Sequence, residues 1–196
     1  MNEVVIVRHG ETEWSRSGKH TGRTDVPLTV LGRQQARVVG RALEGREFAL
    51  VLTSPLGRAL ETSRLAGYGD VAVPRDDLME WDYGAYEGRK TVDIRKERSG
   101  WSLWSDGVPG GEDAAQVGAR ADRVLEELRS AGGDALVFAH GHLLRVLAAR
   151  WLGLEPAAGR LFALDPATIS VLGYERETPV LRSWNVPASS ARRSQP

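Results

Sequence analysis

Side chains of types that serve catalysis follow four predicted strands, each near the point where the strand ends. They are Arg8, His9, Ser54, Arg58, Glu80, His140 and His142. In parallel α/β sheets, ligands bind in the crevice outside the carboxyl ends of the strands. We therefore expect these residues, which come from distant parts of the chain, to converge on one site.

The composition of this site suits the transfer of a phosphoryl group without a metal ion. Arginine forks match phosphate oxygens in pairs, and Arg58 lies in the first turns of a predicted helix, whose dipole also favours an anion. Cationic neighbours push His9 toward its neutral, nucleophilic form. Glu80 is the carboxylate of the group and is suited to donate a proton to a departing alkoxide.

Metal binding is a different chemistry open to His140 and His142, because alternate residues can face the same way. The chain contains no cysteine, no His-Glu-x-x-His motif and no acidic cluster beside these histidines. We therefore predict no metal ligands. Each residue taken alone also has an ordinary role open to it, such as a solvated helix arginine or an exposed loop acid. Their grouping is what favours a site.

Alternating buried strands and helices must position these residues. Apolar runs predict strands over 4–7, 48–52, 71–73 and 135–139, and final strands around 161–164, 169–174 and 180–184. Helices are predicted over about 29–43, after Pro55, near 91–98, over 113–131 and from His142 to about 152. Leu31 and Leu60 are expected to face the core. The pattern indicates an α/β fold, a three-layer α/β/α sandwich around a mostly parallel sheet.

Composition narrows the class of protein. The 196 residues are 41% hydrophobic and 27% charged, with 26 basic and 26 acidic side chains. Binders of nucleic acid or of anionic membranes normally carry a basic excess, so we expect neither partner. No apolar run reaches the length of a membrane span and the N-terminus shows no signal-peptide pattern, so we predict a cytoplasmic protein.

The chain has the length of one domain. We expect a single domain over 1–187, with a cap-like segment over about 81–111 that contains loops and one short helix. The small, polar segment over 188–196 is expected to be a disordered tail. A homodimer through an edge strand or a helix face is compatible with this organisation.

Ordered sequence blocks resemble the histidine phosphatase superfamily, also called phosphoglycerate-mutase-like proteins. The blocks are Arg8-His9-Gly10-Glu11-Thr12; Asp25, Pro27-Leu28-Thr29, Gly32 and Gln35-Ala36; Ser54-Pro55, Arg58-Ala59 and Thr62; Leu78, Glu80, Tyr83-Gly84 and Glu87-Gly88; and His140-Gly141. They appear in the family's order and cover about three quarters of the chain, from residue 4 to about 150. The resemblance implies a phosphoglycerate-mutase-like fold whose mostly parallel sheet has an antiparallel edge.

The resemblance also implies roles for residues of the site. His9 would become phosphohistidine, while Arg8, Arg58 and His140 would hold the phosphoryl oxygens. Glu80 would be the general acid and then the base that activates water. The family needs neither a metal nor an organic cofactor, so none is expected here, and the ligand would be a small phosphorylated metabolite.

Two positions depart from the family's usual pattern. Ser15 stands where an asparagine is common and is expected to contact phosphate, although its reach is shorter. His142 also replaces a common asparagine, and there the backbone amide can matter more than the side chain. The segment from Trp14 to Gly22 is similar to a sub-branch of acid phosphatases and a sedoheptulose-bisphosphatase. The expected substrate contacts are Ser15, Thr21, Gly22, Arg23, Gly141 and His142.

Hydrolysis is favoured over mutase activity. Related cofactor-dependent phosphoglycerate mutases carry a longer insertion with paired arginines, and a mutase must keep water from its phosphoenzyme. The segment from Gly88 to Gly111 is short and has no such pair. Two alternatives stay open: a mutase, and a catalytically silent protein that keeps the phosphate pocket. Lys19, His20 and Arg23 are candidates to receive a second phosphate or a carboxylate.

Overall fold

A six-stranded sheet forms the centre of the computed structural model, which describes residues 2–190. Its strands are β1 (Val4–Arg8), β2 (Leu50–Thr53), β3 (Val73–Pro74), β4 (Ala135–Ala139), β5 (Thr168–Glu175) and β6 (Thr178–Pro187). They lie in the order β3-β2-β4-β1-β5-β6, and the first four are parallel. β5 pairs antiparallel with β1, and β6 pairs antiparallel with β5. The mostly parallel sheet with an antiparallel edge is confirmed.

The α-helices of the described residues connect these strands. They are α1 (Glu13–Ser17), α2 (Val30–Ala42), α3 (Gly57–Leu65), α4 (Thr91–Glu97), α5 (Leu103–Asp106), α6 (Ala114–Arg129) and α7 (Gly141–Trp151). As predicted, Thr29 caps α2, since its side chain accepts a hydrogen bond from the amide of Gly32. Asp113 caps α6 in the same way through the amide of Gln116. Short 3₁₀ segments span Asp76–Leu78, Gly84–Tyr86 and Pro156–Leu161.

Helices cover both faces of the sheet, so the predicted three layers are confirmed. Because side chains alternate along a strand, Val5 and Val7 of β1 pack on the face that α2 and the end of α3 cover. Val4 and Ile6 face the opposite cluster, to which α6 and α7 contribute their apolar sides. β1 is therefore central and buried, and its last residue, Arg8, leads directly into the predicted site.

Several elements differ from their predictions. No strand forms over 161–164, where a 3₁₀ turn ends at Leu161 and irregular backbone follows, and β3 is limited to two residues. The inward orientation predicted for Leu31 and Leu60 is wrong, because these side chains are 48% and 37% exposed. The buried face of α3 instead carries Arg58 and other mostly polar residues. Contacts with the site, rather than apolar periodicity, orient that helix.

The segment over 81–111 holds two short helices, α4 and α5, instead of the one predicted. Its tryptophans are largely internal: Trp101 is buried and its indole N–H donates to the carbonyl of Gly107. At the C-terminal end, residues 188–190 form a turn and Ala188 is buried against one face of the sheet. The rest of the predicted tail, 191–196, lies outside the described residues.

Among residues 2–190, none of the helices has both the length and the apolar character needed to cross a lipid bilayer.

Candidate active site

A pocket of about 250 Å³ opens at the carboxyl ends of β1 and β4. Seven of the predicted site residues line it: Arg8, His9, Ser15, Thr21, Glu80, Gly141 and His142. Four others do not contribute to its wall: Gly22, Arg23, Arg58 and His140. The residues predicted at the strand ends therefore do converge on one place. Four members of the predicted set nevertheless lie outside the pocket wall.

His9 is held as a neutral imidazole with one nitrogen open. Its Nδ1 lies 2.7 Å from the carbonyl oxygen of Gly10, and because a carbonyl only accepts, Nδ1 carries the hydrogen. The lone pair is then on Nε2, which forms no hydrogen bond within residues 2–190. Burial, together with the nearby charges of Arg58 and Arg8, holds the pKa of His9 well below its usual range. These conditions suit a nucleophile.

Arg8 presents an unengaged edge of its guanidinium beside His9. Its Nη1 donates to the carbonyl of Leu164, but its buried Nε has no hydrogen-bond partner in the described part of the chain. Gly141 packs against this group, since a Cβ there would lie 3.2 Å from Cζ of Arg8. A buried, unpartnered arginine donor in a pocket wall is suited to an anion that brings its own acceptors.

Arg58 positions a loop and a second histidine. Its Nη groups donate to the carbonyls of Thr21, Gly22 and Thr24 at 2.9–3.1 Å, and its Nε donates to Nδ1 of His140 at 3.1 Å. A guanidinium has five N–H groups, so one is left for a ligand. Direct contact of Arg58 with phosphoryl oxygens stays a prediction.

The tautomer of His140 follows from these partners. Because Arg58 can only donate, Nδ1 of His140 is an acceptor, and the hydrogen on Nε2 is donated to Oγ of Ser54 at 2.7 Å. Burial and the charge of Arg58 hold the pKa of His140 well below its usual range. Its ring centre lies 5.2 Å from that of His9. His140 is thus a fixed, neutral group directly behind the nucleophile.

Glu80 lies at the N-terminus of α7. Its Oε1 accepts hydrogen bonds of 2.9 Å from the amides of Trp81 and Leu143, and its Oε2 accepts one of 3.0 Å from the amide of His142. The positive end of the helix dipole adds to these donors. The backbone amide of His142, which sequence reasoning offered to the substrate, is therefore occupied by the carboxylate.

Rings of Tyr83, His142 and His20 form part of the pocket wall. The hydroxyl of Tyr83 lies 2.6 Å from Nδ1 of His142, and Nε2 of His20 lies 3.2 Å from the hydroxyl of Thr91. Burial lowers the pKa of His20 to about 4 and holds that of His142 well below its usual range. Burial, followed by the charge of Glu80, raises the pKa of the Tyr83 phenol well above its usual range. All three rings are uncharged at neutral pH.

Three predicted contacts have structural partners instead. Arg23 lies 3.8 Å from Asp82 and 3.9 Å from Glu112, outside the pocket. The amide of Gly22 donates to Glu87, and a Cβ on Gly22 would lie 2.5 Å from that carboxylate. Ser15 lines the pocket, but its hydroxyl donates to the carbonyl of Thr12 and accepts from the amide of the same residue in a capping box.

Sequence reasoning gave no role to Arg145, Tyr83 or Thr91, which also line the pocket. Arg145 follows Gly141 by four residues on α7, so helical spacing alone places both on one face. This spacing is a signal that could have found Arg145. The contact between Tyr83 and His142 joins segments far apart in the chain, so no local sequence pattern predicts it.

Within the described residues, no group of three or more His, Cys, Asp or Glu side chains is arranged to hold a metal ion.

A sequence profile decides the family. The profile of the histidine phosphatase superfamily, branch 1, matches residues 4–187. The chain belongs to this superfamily. The predicted enzyme class, a phosphatase of the superfamily, is confirmed together with the family resemblance and the phosphoglycerate-mutase-like fold.

Known proteins similar to this histidine phosphatase carry several names. It is 42% identical to an acid phosphatase of Mycobacterium tuberculosis over 89% of this chain and 87% of that protein. It is 38% identical to a sedoheptulose 1,7-bisphosphatase of Saccharomyces cerevisiae, over 76% and 67% of the two chains. A probable phosphoglycerate mutase of Yersinia enterocolitica is 30% identical over 96% and 93%.

A solved structure is also similar. The product of an open reading frame of Mycobacterium tuberculosis superposes on this chain with a TM-score of 0.88 at 38% identity, covering 95% of this chain and 98% of that one.

Proposed function

We propose that this histidine phosphatase is a metal-independent phosphomonoesterase that hydrolyses small phosphorylated metabolites through a phosphohistidine on His9. The observation that carries the proposal is the neutral imidazole of His9, with Nε2 unengaged beside the unpartnered Nε of Arg8. The pocket of about 250 Å³ is slightly smaller than the usual range of about 300–1,000 Å³ for ligand sites, which suits a small metabolite.

In the first step, Nε2 of His9 attacks phosphorus and the bond from phosphorus to the leaving oxygen breaks. The unpartnered Nε of Arg8 donates a hydrogen bond to the phosphoryl oxygens. This donor stabilises the negative charge on those oxygens as the bond breaks. Protonated Glu80 gives its proton to the leaving oxygen, so an alcohol departs.

In the second step, a water molecule attacks the phosphoryl group on His9. Glu80, now a carboxylate, takes a proton from that water while the bond from phosphorus to Nε2 breaks. Inorganic phosphate leaves, and both His9 and Glu80 return to their starting protonation states. The three amides that bind Glu80 hold its carboxylate in place for this step.

The cap favours hydrolysis over mutase activity. Of residues 81–111, only Tyr83 and Thr91 join the pocket wall. Cations of the cap are bound within the cap itself, in the ion pairs Arg89–Glu97, Lys96–Asp93 and Arg98–Asp106. They are therefore not arranged to grip a substrate carboxylate or to seal the phosphoenzyme from water.

The test is a comparison of phosphate release and phosphoenzyme formation in the wild type, His9→Ala and His9→Asn, in excess chelator. We expect the wild type to release phosphate and to show an acid-labile phosphoryl group after rapid quenching. Both variants should lose turnover and the label, although asparagine can keep a donor near the carbonyl of Gly10. Lys96→Gln, a change at a side chain that is 71% exposed, is the matched control.

Retention of most activity in His9→Ala would overturn the assigned nucleophile. Loss of wild-type activity in chelator would overturn the metal-independent mechanism. Exchange between phosphoglycerate isomers with a bisphosphate primer, without phosphate release, would assign the chain to the mutases. Tight binding of phosphate without any turnover would assign it to the silent phosphate-binding proteins.

A further inference from the structure

Three uncharged ring side chains lie together in the pocket wall: His20, Tyr83 and His142. The ring centres of His20 and Tyr83 are 4.7 Å apart, those of Tyr83 and His142 are 5.8 Å apart, and those of His20 and His142 are 6.1 Å apart. The three come from the loop after α1, from the cap and from the first turn of α7. We call this group the neutral wall.

Each histidine of the neutral wall has one ring nitrogen engaged and one open. His20 uses Nε2 on the hydroxyl of Thr91, and its Nδ1 forms no hydrogen bond within residues 2–190. His142 uses Nδ1 on the hydroxyl of Tyr83, and its Nε2 has no partner in the same part of the chain. Both residues line the pocket. A neutral imidazole offers one donor and one acceptor, and a hydroxyl group can engage either.

Rigid packing fixes these rings in place. The ring of His142 lies 5.3 Å from that of Trp104, and the ring of His20 lies 5.7 Å from that of buried Trp101. Burial keeps both imidazoles neutral, so neither adds charge that would attract an anion. A wall of fixed neutral donors and acceptors is suited to recognise hydroxyl groups by hydrogen bonding.

The cations near this wall differ in how far they are engaged. Arg23 faces acidic side chains outside the pocket, whereas exposed Lys19 lines the pocket and lies over the ring of Trp14. Arg145 also lines the pocket, where its Nε and Nη2 donate to the carbonyls of Gly159 and Arg160 and its guanidinium lies 4.7 Å from the ring centre of Trp104. The neutral wall itself therefore offers hydrogen bonds and no charge, and a second anion would have to be held by Lys19 or Arg145.

We infer that His20 and His142 recognise hydroxyl groups of the leaving group, so that the preferred substrate class is the phosphate monoester of a polyhydroxylated chain or sugar. The inference rests on the proposed function and names the substrate class of the same pocket. Tyr83 acts here as a positioning residue, because its hydroxyl orients the ring of His142.

The experiment compares two substrates whose leaving groups are primary alkoxides of equal chain length, sorbitol 6-phosphate and hexyl phosphate. We expect wild-type kcat/KM to be at least about tenfold higher for the polyol ester, since one hydrogen bond contributes about three- to tenfold. An aryl phosphate, measured in parallel, reports whether the phosphoryl chemistry works independently of hydroxyl recognition.

Two variants then assign the preference to the neutral wall. His20→Phe keeps a ring between Tyr83 and Trp101 but removes both nitrogens, and His142→Asn keeps a group that can accept from Tyr83 while removing Nε2. Each should lower the ratio of the two kcat/KM values about three- to tenfold, because the polyol ester loses a hydrogen bond that hexyl phosphate cannot form. Lys96→Gln is the surface control.

Equal efficiency of wild type on both alkyl substrates, or a ratio unchanged in both variants, would overturn the inference while the proposed function stands. A preference that needs a second phosphate on the sugar, and that survives both substitutions, would also overturn it. Absence of turnover on the aryl phosphate would instead overturn the proposed function, and this inference with it.

Discussion

At the scale of single residues, the carboxylate of Glu80 does two things at once. It accepts hydrogen bonds from the amides of His142 and Leu143, which anchors the start of α7, and it lies in the pocket where a proton must be exchanged. Because both roles depend on the same two oxygens, a substitution there changes stability and chemistry together. The two effects separate when substrates differ in their need for a proton.

Glu80→Gln should reduce kcat/KM for alkyl phosphates far more than for aryl phosphates, because a good leaving group needs little protonation. The variant should also lose about 1–3 kcal/mol of unfolding free energy, since an amide group would face backbone N–H donors. Parallel kinetics on both substrates and urea unfolding check this. Equal losses on the two substrates would contradict the acid role.

The residues at strand ends could be predicted because β1 and β4 are clear apolar runs in the sequence. The candidate catalytic residues directly follow these runs. Arg8 and His9 were found in this way, and Glu80 was found after the short predicted strand over 71–73; all three line the pocket. The hydrogen-bond partners that orient the site residues were not predictable. The carbonyl of Leu164 on Arg8 and the phenol of Tyr83 on His142 come from distant segments that only the folded chain brings together.

At the scale of secondary-structure elements, the first residue of α7 decides how closely the helix approaches β1. Gly141 leaves room for the guanidinium of Arg8, and an added Cβ would lie 3.2 Å from Cζ and 3.3 Å from Nε. The same guanidinium donates through Nη1 to the carbonyl of Leu164, so Arg8 has limited freedom to move away from an added Cβ.

Gly141→Ala should therefore raise KM and lower kcat/KM by about tenfold through misplacement of Arg8. Unfolding free energy should change little, because the helix preference of alanine over glycine, at most about 0.5–1 kcal/mol, opposes the crowding of Arg8. Kinetics and thermal unfolding of the same preparation check this. A parallel loss of stability and activity would indicate a general packing defect.

Helix α1 is short, and its capping box ties Thr12 to Ser15. Ser15→Ala should lower unfolding free energy by about 0.5–2 kcal/mol. It should change kcat/KM by less than about threefold, because the hydroxyl hydrogen of Ser15 is donated to the carbonyl of Thr12. Thr12→Val, which breaks the other half of the box, is the matched comparison for stability. A kcat/KM loss of a hundredfold in Ser15→Ala would instead establish a phosphate contact.

Secondary-structure prediction succeeded where the apolar spacing and the capping residues indicate the same element, as for α2 with its Thr29 cap. It failed where the site orients an element. Apolar spacing on α3 favours Leu60 as the inward residue, but the hydrogen bonds of Arg58 turn the opposite face inward and leave Leu60 at the surface. Tertiary contacts of a charged side chain outweigh a weak apolar stripe there.

At the scale of the whole molecule, buried histidines make stability depend on pH. Burial is the largest cause of the lowered pKa of His9, His20, His140 and His142. Below the usual value of 6.5, the unfolded chain binds protons that the folded chain does not, so the folded state is favoured above that pH and loses stability as pH falls.

Unfolding free energy should thus decrease between pH 7.5 and pH 5.5, by up to about 1.4 kcal/mol per pH unit for each histidine that is protonated only when unfolded. His20→Phe should flatten this slope, since the folded-state pKa of His20 is about 4. Urea unfolding at several pH values checks the slope, with Lys96→Gln as control. An identical slope in His20→Phe would contradict the assignment to that ring.

The cytoplasmic location, the extent of a single domain over 1–187 and a homodimer stay predictions. Sedimentation of the intact chain measures the oligomeric state directly.

The position of β1 in the sheet has a consequence for how the protein is made. Val4–Arg8 is translated well before its neighbours in the sheet, Ala135–Ala139 and Thr168–Glu175. The apolar strand therefore waits unpaired while the residues between it and its partners are synthesised, a condition that exposes it to aggregation and to chaperones. Any product whose synthesis stops before β4 lacks the support on which His9 depends, so an unfinished chain carries no working phosphatase.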